Sequence, residues 1–186
     1  MELSSGSLSA SGHAIGTDPE PYHLTYELET GPAYVTVRML VTAEAPSGRR
    51  TLELRRSDDG KWSANGLPVA SADGALDCDL GRCPLTNTMP VLRHGLHRSG
   101  GPVDFVMAWI SVPDLTVSAS EQRYTFLRHQ GRLSVVRYEG SHRSFVGDLE
   151  LDDDGLVVRY PGLATRVWPP PRPTAPGPGG EGGLVS

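Results

Sequence analysis

The sequence is dominated by runs in which every second side chain is apolar. In residues 22–28, for example, Tyr and Leu residues alternate with His, Thr and Glu. An apolar period of two is typical of a half-buried β-strand. Comparable runs occur at residues 35–42, 51–55, 76–80, 115–126, 133–138, 145–151 and 156–160. We therefore predict a mainly β chain, because so many strand-like runs leave little length for other structure.

Short turns built from Asn-Gly or Asp-Gly pairs separate several of these runs. Such pairs occupy residues 59–60, 65–66, 73–74 and 154–155. These residue types tolerate the positive φ of tight hairpins. No helical pattern of roughly 10–15 residues intervenes to connect parallel strands. The spacing therefore predicts an antiparallel meander, sandwich or barrel.

Glycine and proline also mark out a tail. The chain holds 22 Gly and 16 Pro in 186 residues, a content that disfavours a helical bundle. Five of these glycines and six of these prolines lie in residues 169–186. We predict one domain over residues 1–168, with about six N-terminal residues as a candidate disordered segment, and a disordered Pro/Gly-rich tail over 169–186.

Charge and hydropathy exclude some classes of protein. The net charge of −5, with no basic cluster, argues against a nucleic-acid partner. No window approaches the ~18 apolar residues of a membrane span, and residues 1–16 lack the features of a signal peptide. We expect a soluble, cytoplasmic protein.

Residues 103–112 form the most apolar run, and both faces of the predicted strand are apolar. One face carries Phe105, Met107 and Trp109, and the other carries Ala108 and Ile110. A strand that is apolar on both faces is predicted to be covered on both sides.

One segment, residues 84–95, breaks the period of two. Thr86 is a candidate N-cap, Pro90 suits a first helical turn and Gly95 suits a helix end. We predict a short helix here, the only one in the chain, and its apolar side chains would let it lie inside a curved sheet.

Asp77 and Asp79 lie two residues apart, so a strand places both carboxylates on one face. Paired carboxylates serve general acid–base and glycosidic chemistry, and burial would raise the pKa of one of them. The alternative is structural, because residues 86–88, Arg82 or Arg93 could donate hydrogen bonds to the pair. We favour the structural interpretation and keep both residues as candidate catalytic groups.

No other residue pattern indicates catalysis, a metal site or a cofactor. Cys83 could pair with His94 or His97, but a small buried residue is the preferred interpretation. Cys78 and Cys83 lack a metal-binding spacing, and the two histidines are expected at the surface. Residues 152–154 lack the following Glu of a calcium loop and suit a hairpin turn.

Three sequence motifs, taken in order, carry a family resemblance. They are LDCDLG at 76–81 followed by PLTNTMPV at 84–91, VPDL at 112–115 followed by QRY at 122–124, and DDGLVVRYPGL at 153–163. Together they resemble the bacterial "putative glycolipid-binding" family, formerly a family of unknown function.

The resemblance extends over about residues 24–167 and departs from the family pattern at Cys78 and Cys83. It implies a many-stranded antiparallel spiral β-roll, or open barrel, wrapped around a single helix, similar to bacterial lipoprotein-carrier folds. It also implies a homodimer and binding of a glycolipid. It brings no catalytic residues.

The expected function is therefore non-catalytic binding of a glycolipid or acyl chain between the curved sheet and the helix. Phe105, Met107 and Trp109 are candidates for contact with an acyl chain, unless they simply form the core. Asn87 and Arg93 are candidates for contact with a polar head group, Arg through a bidentate grip on phosphate or carboxylate.

Two alternatives stay open. One is an enzyme of lipid or sugar metabolism that uses Asp77 and Asp79. The other is a dimeric scaffold protein whose tail recruits a partner.

Overall fold

The computed structural model describes residues 1–140 and 145–167, which form two seven-stranded β-sheets. The first sheet contains, in spatial order, β1 (Glu2–Ser4), β2 (Ser7–Gly16), β3 (Tyr22–Thr30), β4 (Thr36–Ala45), β5 (Gly48–Arg56), β6 (Trp62–Ala64) and β7 (Leu67–Pro68). The second contains β14 (Ala164–Thr165), β13 (Val157–Tyr160), β12 (Phe145–Leu151), β11 (Leu133–Gly140), β10 (Val117–Gln130), β9 (Val103–Ile110) and β8 (Asp77–Leu80).

The predicted fold class is confirmed. The chain is mainly β, with one curled half-barrel and, over the described residues, a single short α-helix. Successive strands pair antiparallel within each sheet, except that β8 and β9 pair parallel, with Asp77 opposite Met107. The prediction of a purely antiparallel sheet is therefore wrong at this pair. The reason is that the helical segment forms the crossover that parallel neighbours require.

Helix α1 spans Thr88–His94 and follows a 3-10 turn over Pro84–Asn87. Gly95 ends it in the left-handed region at a φ of 64°, as predicted. The predicted N-cap is wrong, because Thr86 lies within the 3-10 turn and Asn87 takes the cap position. The Thr86 hydroxyl instead donates to Asp79 Oδ1 at 2.8 Å.

Of the predictions made for the two ends of the chain, only the one for the N-terminal end can be compared with the structure. Disorder of the first six residues is wrong for Glu2–Ser4, because this segment pairs with β2 as strand β1. The predicted tail over 169–186 lies outside the described residues.

Strand β9 lies between two hydrophobic cores. Ala108 and Ile110 pack in the first core, with the inner face of the first sheet, while Met107 packs in the second. The predicted burial of both faces is thus confirmed over residues 107–110. It is wrong for Val106, which is 45% exposed, because β8 pairs only with residues 107–110.

Candidate functional site

A cavity of about 750 Å³ opens beside the inner face of the second sheet. This volume lies within the range of roughly 300–1,000 Å³ that small-molecule sites occupy. Its buried or half-buried lining includes Asp79, Leu80, Asn87, Trp109, Ser120, Tyr138, Phe145 and Tyr160. Exposed residues at its mouth include Asp18, Pro19, Ser47, Arg82, Asp114, Gly162 and Leu163. We call it the main cavity.

Two residues in the lining of the main cavity each carry a buried, unpaired oxygen. Asn87 Oδ1 and Ser120 Oγ have no hydrogen-bond partner within the described residues, and each residue is 3% exposed. Asn87 ends the 3-10 turn before α1, and Ser120 lies on β10 opposite Met107. An unsatisfied buried polar group costs about 1–3 kcal/mol, so a ligand that supplies hydroxyl groups would be favoured here.

Asp79 is a third polar residue in the lining, and its carboxylate is already hydrogen-bonded. Thr86 Oγ1 donates to Oδ1 at 2.8 Å, and Gln122 Nε2 donates to Oδ2 at 2.7 Å. Gln122 is held in turn, because its Oε1 accepts the Tyr124 hydroxyl at 3.2 Å. Burial raises the pKa of Asp79, and the bonds from Thr86 and Gln122 oppose that rise.

Asp77 has a different environment, although it shares a strand face with Asp79. Arg93 binds it with both terminal nitrogens, Nη1 lying 2.9 Å from Oδ1. The Asp77 side chain is 1% exposed and the Arg93 side chain 10%, and neither residue lines the main cavity. Thr86 and Arg93 thus donate hydrogen bonds to the pair, as the structural interpretation expects, and that interpretation stays a prediction. Arg82 instead forms an ion pair with Asp18 at the mouth.

Three aromatic rings form one wall of the main cavity. The centroids of Tyr138, Phe145 and Tyr160 lie 5.7–6.1 Å apart, with the ring planes tilted to one another. Gly140 and Gly147 make room for two of them. A Cβ atom would lie 2.6 Å from Tyr138 Oη at Gly140, and 2.8 Å from Phe145 Cε1 at Gly147. These glycines therefore let the rings lie flat along the sheet.

The structure brings two of the five predicted ligand-binding residues to the main cavity, Asn87 and Trp109. Met107 is 1% exposed and belongs to the second core. Phe105 lies with its ring edge-on to its aromatic neighbours and does not line the cavity. Arg93 is committed to Asp77, so it does not offer the predicted grip on a head group.

The space predicted for the ligand, between sheet and helix, is packed with side chains. Met89 and Val91 on α1 are each 0% exposed, and Met107 fills the adjoining sheet face. None of these three residues lines the main cavity, so an acyl chain at this place stays a prediction.

Sequence reasoning missed Ser120 and the aromatic wall. A signal for the wall exists in the Tyr-x-Gly and Phe-x-Gly spacings of residues 138–140 and 145–147. Their meaning depends on register, because Tyr138 faces Gly147 across the two strands, and Gly140 faces Phe145. Ser120 carries no distinguishing local pattern.

Acidic residues outnumber basic residues around the main cavity. The ionisable groups in its lining, apart from Cys and Tyr, are Asp18, Glu20, Asp79 and Asp114 against Arg50 and Arg82. A surplus of negative charge repels an anionic ligand. The repulsion is stronger in a partly desolvated space, because the effective dielectric constant is lower there than in water. A phosphate or carboxylate head group is therefore disfavoured.

Cys83, His94 and His97 are the other candidates named from the sequence. Burial raises the pKa of the Cys83 thiol, which makes it a poor nucleophile. The expectation of surface histidines holds for His94 and is wrong for His97, which is 6% exposed and accepts a bond from Arg98 Nε at 3.1 Å. Over residues 1–140 and 145–167, no three His, Cys, Asp or Glu side chains cluster closely enough to hold a metal ion.

In the described part of the chain, no helix is long and apolar enough to cross a membrane.

Comparison with known proteins places the chain in a family. No curated protein matches the sequence. A crystal structure of a DUF1089 family protein from Pseudomonas aeruginosa is similar, with a TM-score of 0.74 and 28% identity over 89% of each chain. A family model described as "Putative glycolipid-binding" matches residues 1–166, a span that includes every lining residue of the main cavity. The chain therefore belongs to the family that carries this description.

Proposed function

We propose that the protein binds a glycolipid and holds the sugar head group in the main cavity. One observation carries the proposal: Asn87 and Ser120, whose buried oxygens are unpaired, line the same cavity as an aromatic wall. A sugar offers hydroxyl groups for the oxygens and C–H bonds for the rings. The description of the family supports the same class of ligand.

The polar lining favours the head group over the acyl chain as the occupant. An alkyl chain against Asn87 Oδ1 and Ser120 Oγ would leave both atoms desolvated and unpaired. A sugar hydroxyl can donate to Asn87 Oδ1, and either donate to or accept from Ser120 Oγ. Asp79 offers further acceptor positions, since each of its oxygens receives one of the bonds described above.

The aromatic wall favours a neutral sugar. The face of an aromatic ring is electron-rich, so it attracts the C–H bonds on the apolar side of a pyranose ring. Tyr138, Phe145 and Tyr160 supply such a surface in the same cavity as the polar residues. The acidic lining disfavours a phosphorylated or sulfated head group for the electrostatic reason given above.

Isothermal titration calorimetry with octyl glycosides, kept below their critical micelle concentrations, tests the proposal. The panel carries glucose, galactose, mannose or maltose as the head group. We expect binding of at least one glycoside by the wild-type protein. Asn87→Ala and Ser120→Ala should each weaken it roughly two- to tenfold, the loss expected for one hydrogen bond.

Ser118→Ala is the matched control, because Ser118 lies two residues from Ser120 on β10 and does not line the cavity. It should leave the affinity unchanged. The proposal fails if no glycoside binds, or if Ser118→Ala weakens binding as much as Ser120→Ala. It also fails if octyldimethylamine oxide, which has no hydroxyl group and no net charge, binds as tightly as the best glycoside.

A further inference from the structure

A second, smaller cavity of about 160 Å³ adjoins the main cavity. Residues 80–83 and Val112 line both. Residues 80–83 form a tight turn at the end of β8, closed by a bond from Cys83 N–H to Leu80 O at 3.0 Å. One turn and one side chain therefore border both spaces. We call the smaller cavity the side chamber.

Strands β2 and β3 contribute apolar groups to the side chamber. Ala14, Leu24 and the ring of Tyr26 contribute to it. The Tyr26 hydroxyl is hydrogen-bonded to Cys83. Only His13 and Arg82 bring nitrogen-bearing side chains to the lining, and both are exposed. The inner part of the chamber thus suits hydrocarbon.

Glycines shape the side chamber as they shape the aromatic wall of the main cavity. The ring of Tyr26 lies over Gly12, and the ring of Tyr22 lies over Gly16, on the paired strand. A Cβ atom at Gly12 would lie 2.5 Å from the Tyr26 ring. Both rings therefore lie along the sheet, and their faces are available to the chamber.

We propose that the side chamber holds the first part of the alkyl chain of a glycolipid whose sugar lies in the main cavity. The inference rests on the proposed function. A cavity of ~150 Å³ with apolar walls accommodates benzene, so 160 Å³ provides room for about six carbon atoms. The remainder of a longer chain extends beyond the chamber and adds little affinity.

A chain-length series on the full wild-type chain tests the inference. ¹⁵N–¹H NMR titration, which reads weak affinities, is performed with methyl, butyl, hexyl, octyl and decyl glycosides of the preferred sugar. We expect the affinity to rise up to about fourfold per methylene as far as six carbons and then to level off. The amide signals of Ala14 and Leu24 should move with the hexyl glycoside and stay unmoved with the methyl glycoside.

Ala14→Phe fills the side chamber without touching the main cavity, since Ala14 lines only the chamber. It should abolish the dependence on chain length and leave the affinity for the methyl glycoside unchanged. Ala14→Leu provides a smaller filling residue if the Phe variant is unstable. Ser11→Phe, which adds an aromatic ring at an exposed position of the same strand, should behave as wild type.

The outcomes separate the two proposals. If no glycoside of any length binds, the proposed function falls and the inference falls with it. If the methyl glycoside binds but added methylenes bring no affinity, or if Ala14→Phe keeps the full chain-length dependence, the side chamber does not hold the chain and the sugar site stands.

Discussion

Arg93 and Asp77 show how a single charged residue can be required without taking part in ligand binding. The pair lies beneath α1, with both side chains at least nine-tenths buried. Removal of one partner from a buried ion pair leaves an uncompensated charge, which is far more costly than removal of the whole pair.

Arg93→Leu is therefore expected to lower the free energy of unfolding by about 3–5 kcal/mol at neutral pH. Urea denaturation monitored by circular dichroism measures the change. The double variant Arg93→Leu/Asp77→Leu should recover most of the loss, because no buried charge remains.

Arg137→Leu is the control, since Arg137 pairs with Asp148 at a site where both side chains are more than a third exposed. Its expected cost is at most about 1 kcal/mol. Equal losses for the two arginine variants would contradict the assignment of Arg93 to a buried ion pair.

Asp79 gives the stability a predictable pH dependence. Because burial raises its pKa in the folded state, the folded protein retains this proton to a higher pH than the unfolded chain does. The contribution of Asp79 to stability is thus complete below the unfolded pKa and declines as the pH rises through the folded pKa. Asp79→Asn removes this decline. The stability of the variant relative to wild type should therefore increase from about pH 4 upward.

Asp104 provides the opposite case, because its bond from Arg123 lowers the pKa of the carboxyl group. Its contribution is present at neutral pH and is lost as the pH falls through the folded pKa. Asp104→Asn should therefore lose stability relative to wild type as the pH rises. Urea titrations between pH 3 and pH 8 measure both variants, and parallel curves for the two would contradict the burial of Asp79.

Among the secondary-structure elements, β11 and β12 can line the cavity with aromatic rings because glycine residues leave room for those rings. Gly147 is buried and lies opposite Tyr138, and its missing side chain leaves room for the Phe145 ring. Because this ring is the end of a flexible side chain, a new methyl group can displace it without breaking the sheet.

Gly147→Ala should consequently lower the stability by about 1–2 kcal/mol, as a mild case of overpacking. It should weaken glycoside binding roughly tenfold, the scale of one lost aromatic contact. Urea denaturation and calorimetry on the same samples measure the two effects. Unchanged binding would show that Phe145 does not form part of the site.

The strands could be predicted from sequence because alternation of apolar and polar residues is a local signal. Helix α1 could likewise be predicted, from Pro90 and Gly95, because their conformational preferences act within one turn. The parallel pairing of β8 with β9 could not be predicted from sequence, since it depends on how the crossover packs. For the same reason, alternation alone indicated burial of Val106, which the short β8 leaves exposed.

The candidate site was predictable only in part. Asn87 and Trp109 lie beside unusual motifs and do reach the main cavity. The aromatic wall depends on register between β11 and β12, and on the approach of Tyr160 from β13. Arg93 was a candidate both for a head group and for a hydrogen bond to the Asp77–Asp79 pair, and its contact with Asp77 is a tertiary property that sequence spacing alone does not select.

In the molecule as a whole, the position of the cavities follows from the way the two sheets meet. Residues 107–110 lie between the two hydrophobic cores, and the turn at residues 80–83 borders both the main cavity and the side chamber. The aromatic wall belongs to the second sheet, while Ala14, Leu24 and Tyr26 of the first sheet contribute apolar lining to the side chamber. A ligand with a sugar and an alkyl chain matches this division.

The most direct test is a crystal structure of the full chain in complex with the octyl glycoside that binds most tightly. Our account predicts sugar hydroxyl groups within hydrogen-bond distance of Asn87 Oδ1 and Ser120 Oγ, with the sugar ring against Tyr138 and Tyr160. It is contradicted if the alkyl chain occupies the main cavity and the sugar extends from its mouth into solvent.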